Sequence, residues 1–161
     1  MNDYNDKPFM DYLNAVDKRL EALCGRTSEQ SDMALIAACQ EDGVSPEDCA
    51  ADTARRIRIR ELNDLCRTAM GVAGRVVQTP GICALPPEDQ SAIRERVETF
   101  ADFGEDNDPH GEHDFGAFDH KGRKIFWKID YYDPTLTKGS EDPTDPKQTC
   151  RLLTILLAEE W

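Results

Sequence analysis

Apolar residues recur at helical spacing through the first part of the chain. Phe9, Leu13, Val16, Leu20 and Leu23 line one side of a segment from Pro8 to Cys24, and Gly25 follows as a stop. Thr27 and Ser28 open a second helix, with Met33, Ile36, Ala37 and Gln40 marking its faces, that ends near Gly43. Ser45-Pro46-Glu47-Asp48 then reads as a helix start. Serine caps, proline suits the first helical position, and two carboxylates meet the positive end of the dipole. Ile57, Ile59, Leu62, Leu65, Cys66 and Ala69 carry the period on toward Gly71. This is one long helix from Pro46 or two meeting near Ala54.

Beyond Gly71 the period shortens. Arg75 to Thr79 reads as a strand, Pro80-Gly81 as a turn, and Pro86-Pro87-Glu88-Asp89 as the start of a helix whose apolar face is Ile93, Val97 and Phe100. The residues from Ala101 to Gly111 form a loop. His113 to Asp119 and Arg123 to Tyr131 alternate as paired strands around Asp119-His120-Lys121-Gly122, read as a three-residue hairpin loop with a bulge. That register sets Asp119 opposite Arg123, Ala117 opposite Ile125, Phe115 opposite Trp127 and Asp114 opposite Lys128. Phe115, Ala117, Ile125, Trp127, Ile129 and Tyr131 then face the core, with Asp114, Lys128, Asp130 and Tyr132 on the other side. Asp145-Pro146 begins a last helix, apolar over most of its circumference through Cys150, Leu153, Ile155, Leu156 and Leu157. The expected fold is α+β. A helical module of about three helices (1–54) is followed by a domain (55–161) with a small antiparallel sheet of about three strands packed with helices.

Composition narrows the class. A chain of 161 residues, 39% hydrophobic and 32% charged, supports one good core or two small ones. There is no apolar run long enough to cross a membrane. The N-terminal MNDYNDKPFMDY is acidic and has no apolar h-region, so it does not read as a signal peptide, and the cytoplasm is the expected compartment. Six cysteines without a C-x-x-C pair read mostly as buried thiols on apolar faces.

Charge adds the clearest functional hint. The net charge is −13. Residues 1–54 carry 12 acids and 4 bases, residues 55–99 carry 6 and 8, and residues 100–161 carry 14 and 7. Such a chain repels nucleic-acid phosphates and suits a basic protein surface. The stretch from Ala38 to Arg56 imitates a helix-turn-helix, but Glu47, Asp48 and Asp52 stand where a recognition helix would approach DNA. Direct nucleic-acid binding is therefore not expected.

All three histidines lie between Asp106 and Asp133. His110, Glu112 and His113 offer imidazole and oxygen ligands for a divalent metal. His110, His113 and Asp130 offer an acid and a base. The H-x-E-H spacing matches no established ligand pattern, and the competing reading is a turn whose carboxylates cap backbone N–H groups. Lys128 between Asp114 and Asp130 reads as an ion-pair ladder. Phosphate-loop, dinucleotide and nucleophile-elbow motifs do not occur, and no cofactor is expected.

The runs ELND, GRVVQTPGICALPPED, DNDPHGEHDFGAF, IFWKIDYYD and LTILLAEEW resemble an uncharacterised bacterial domain family frequent on plasmids and prophage-like elements of alphaproteobacteria. The resemblance covers roughly Arg56 to Trp161. The first 54 residues lie outside it and are similar to small helical segments of other mobile-element proteins. With the charge, this setting implies an inhibitor that binds a basic, nucleic-acid-handling surface of a host defence complex, as an anti-CRISPR does, with a CRISPR effector subunit as the expected partner. Glu41, Asp42, Glu47, Asp48, Glu105, Asp106, Asp108, Glu112 and Asp114 are its expected contact residues. The alternatives are a small metal-dependent hydrolase or nuclease built on the His110/Glu112/His113 loop, and a homodimer through the helical module.

Overall fold

The structure is a computed structural model that describes residues 6–29 and 32–161. The start of the N-terminal run weighed above as a signal peptide, residues 1–5, lies outside the described residues. The chain divides into two compact units, Met1–Arg58 and Ile59–Trp161.

The first unit is helical. Helix α1 spans Lys7–Cys24: the Asp6 side chain accepts from the Phe9 N–H at 2.9 Å, and Gly25 closes the helix at φ 71°. Helix α2 spans Met33–Glu41. It does not open at Thr27 and Ser28 as the sequence suggests. The Ser28 N–H donates to Asp17 Oδ1 and the Glu29 N–H to Asp32 Oδ2, so local side chains hold an irregular backbone there. Helix α3 is continuous from Pro46 to Thr68, which resolves the one-or-two alternative. The Asp48 N–H donates to Ser45 Oγ at 3.1 Å, as the cap reading requires. Phe9, Val16, Leu20, Ile36, Cys49, Ala50 and Ile57 form the core of this unit. Leu23, expected on the same stripe, is exposed.

The second unit holds the sheet. Strand β1 is Arg75–Gln78, helix α4 Pro80–Cys83, helix α5 Pro87–Glu98, strand β2 Phe115–His120, strand β3 Arg123–Tyr132 and strand β4 Cys150–Leu157, followed by a 3-10 turn at Ala158–Glu160. The order is β1-β4-β3-β2, with β1 parallel to β4 and the other pairs antiparallel. The class is α+β as expected, but the sheet has four strands and is mixed.

Two local corrections follow. The expected last helix is strand β4. It pairs on both edges, with Arg151, Leu153, Ile155 and Leu157 buried on one side and Leu156 on the other. A central strand apolar on both faces looks, in sequence, like a helix apolar all round. The hairpin register is also one residue off the expected one. Lys121 and Gly122, at φ 48° and 78°, make a two-residue turn that pairs His120 with Arg123 and Gly116 with Trp127. Gly116 and Phe118 therefore face the core, and Phe115 and Ala117 face away. Gly116 is required there because the Trp127 indole occupies the space of a Cβ.

The core of this unit lies between α3, α4, α5 and the odd-numbered residues of β3 and β4, centred on Trp127, Ile93, Val97, Leu153 and Ile155. Cys39, Cys49 and Cys66 are buried thiols as expected, whereas Cys24 and Cys83 are exposed.

Candidate functional site

The loop between α5 and β2 is folded by its own polar residues. Asn107 Oδ1 accepts from the Gly104 N–H, and its Nδ2 donates to Asp102 O, both at 2.7 Å. Asp108 then turns inward. Its side chain is 4% exposed, and Oδ1 accepts from the N–H groups of Glu112 and His113 at 2.9 and 3.1 Å. Gly111 and His113 both take positive φ, 63° and 54°, which ends the loop and delays β2 to Phe115.

His113 is thereby laid against α3. Its Nδ1 lies 3.0 Å from both carboxylate oxygens of Asp64, and its Nε2 is 3.7 Å from Asp108 Oδ2. Its ring is stacked on Phe103. Arg67, one helical turn beyond Asp64, donates to Asp64 Oδ1 at 2.9 Å and to the carbonyls of Val97 and Glu98 at 2.8 Å. Those carbonyls belong to the open end of α5, where a cation is favoured. The guanidinium also sits over the rings of Phe103 and Trp127, at 5.5 and 5.6 Å. Burial works against the Asp64 charge, yet the hydrogen bonds from His113 and Arg67 hold its carboxyl below the ordinary value.

A second network adjoins the first. The Asn63 side chain, fully buried, donates from Nδ2 to Glu112 O at 2.8 Å and to the Tyr131 hydroxyl at 2.7 Å. Tyr131 donates to Glu112 Oε2 at 3.0 Å, and Arg151 Nε donates to Asn63 Oδ1 at 2.8 Å. Burial pushes the Tyr131 hydroxyl well above its ordinary range, so it stays a donor. Burial also raises the carboxyl of Asp114, helped by the neighbouring charges of Glu112 and Asp108.

The predicted residues are distributed unevenly over this arrangement. Asp108, Glu112 and His113 enter the two networks, and Asp114 is half-buried beside them. His110, Glu105 and Asp106 are exposed. Asp130 pairs with Lys128 at 2.8 Å on the face of β3 opposite Tyr131. His110, His113 and Asp130 therefore do not form one catalytic cluster. Among the described residues no group of three or more His, Cys, Asp or Glu side chains is arranged to hold a metal ion. Of the ladder expected at Lys128, the structure shows the ion pair with Asp130. His120, the third histidine, meets Asp89 at 2.9 Å. In the first unit, Glu41, Asp42, Glu47 and Asp48 are all exposed where α2 gives way to α3.

Sequence reasoning missed Asn63, Asp64, Arg67, Phe103 and Arg151. Only the ELND run, quoted for the resemblance, contained any of them, and the i,i+3 spacing of Asp64 and Arg67 on one helix is the signal that could have pointed further. Chemically, the arrangement holds a loop in place. Nδ1 of His113 is engaged by Asp64 while Nε2 stands 3.7 Å from Asp108 Oδ2, and every Asn63 side-chain atom that can bond is engaged.

A family model described as a protein of unknown function (DUF3768) matches residues 78–160, just over half of the chain. No curated protein and no solved structure matches it.

Proposed function

Because this chain belongs to the DUF3768 family, whose function is unknown, its role is read from its own surface, and we propose that it acts by protein–protein contact. In this reading it is an acidic protein that binds a basic, nucleic-acid-handling surface of a host defence complex, in the manner of an anti-CRISPR. The observation that carries the reading is which carboxylates stay outside after folding. Glu41, Asp42, Glu47 and Asp48 are exposed together around the start of α3, in a chain of net charge −13. Glu105 and Asp106 are exposed in the loop after α5. Asp108, Glu112 and Asp114 leave the proposed contact set, since the first two are engaged internally and the third is half-buried.

The partner class follows from chemistry. A surface built for phosphates is rich in Lys and Arg, and its field captures an anionic protein at long range. A CRISPR effector subunit is the specific case suggested by the plasmid and prophage-like setting of the bacterial family that the motifs resemble, and the cytoplasm is the matching compartment. Among the described residues no group of three or more His, Cys, Asp or Glu side chains is arranged to hold the metal that the hydrolase alternative would use.

Binding of the full chain to a purified RNA-guided effector complex tests the proposal. Affinity is expected to fall at least about tenfold as salt rises from about 0.1 M to about 1 M, where the screening length shrinks from about 10 Å to about 3 Å. Replacing Glu41, Asp42, Glu47 and Asp48 together by Gln and Asn should weaken low-salt binding by about tenfold or more. Absence of binding to every such complex at low salt, or binding indifferent to the fourfold variant, would overturn it.

A further inference from the structure

We draw no further inference here: the strongest candidate, the aromatic patch on the sheet face opposite the core, where Trp161 packs against Phe115 and Phe126, is an apolar face and nothing in the structure shows what covers it.

Discussion

The imidazole of His113 lies 3.7 Å from the ring of Phe103 and within 4° of parallel to it. The same imidazole reaches Asp64 on α3. One side chain thus joins two parts of the loop after α5, where Phe103 is half-buried against the core, and ties that loop to a helix.

Replacing His113 with Ala removes the stack, the Asp64 contact and a side chain that spans loop and helix. A loss of about 2–3 kcal/mol is expected, from the broken charge-assisted hydrogen bond and lost packing. His113→Asn should lose less, because Asn tolerates the positive φ and can still donate. Urea unfolding of the three proteins, compared by midpoint at constant slope, measures both differences. Equal midpoints for wild type and His113→Ala would show that the tie carries no stability.

Asp64 and Asp114 should act on stability with opposite sign. The folded-state pKa of Asp64 is lowered, so its contribution is present above the unfolded value of about 3.9 and is lost as pH falls through the lower folded value. The folded-state pKa of Asp114 is raised, so its cost is absent below the unfolded value and complete above the folded one. At neutral pH, Asp64→Asn should lower the melting temperature and Asp114→Asn should raise it. The gap between the two variants should narrow as pH is taken toward 3, roughly the lower end of the carboxylate range. Thermal melts across that interval check both signs.

Gly116→Ala places a methyl group in the Trp127 indole, a fully buried ring. Overpacking of this kind costs about 1–3 kcal/mol. Trp127 fluorescence would shift as well, because the indole must move to make room. Gly104→Ala, with open space at the corresponding position, is the control and should be close to neutral.

The family match begins at residue 78, but the polar networks draw Asn63, Asp64 and Arg67 from α3. A fragment of residues 78–160 would leave His113, Arg151 and the carbonyl end of α5 without these partners, and it is expected to be unfolded by circular dichroism. A fragment of residues 46–161, which keeps all of α3, should show a cooperative melt. Equal cooperativity in the two fragments would remove α3 from the folding unit.

Much of this fold was legible because local signals agreed with tertiary demands. Gly25 ends α1 as read, Ser45 and Pro46 start α3, and Pro87 with Glu88 and Asp89 starts α5. The misreadings came where tertiary contacts outvoted the local pattern. Leu152 to Leu157 has no alternation because both of its faces are covered in part, so its strand character rests on pairing with β1 and β3. The hairpin slipped by one because two apparent charge pairs favoured the wrong register. The turn at Lys121-Gly122 and the bare surface of Gly116 decided the other. The importance of Asp108 and His113 was visible as density of rare residues, but not their role. His113 meets Asp64 49 positions away, and the partners of Asp108 are backbone N–H groups four and five positions on, which leave no signal in residue type.

The strand order carries a kinetic consequence. Arg75 aligns with Leu152, so β1 waits through the making of two later strands before its one neighbour exists. During synthesis the β2–β3 ribbon can close early, while β1 and one edge of β3 stay raw until the middle of the sheet is threaded between them. Assembly of this kind is slow and leaves sticky borders uncovered in the meantime. The last strand to be made is thus the one that turns two separate pieces into a single sheet.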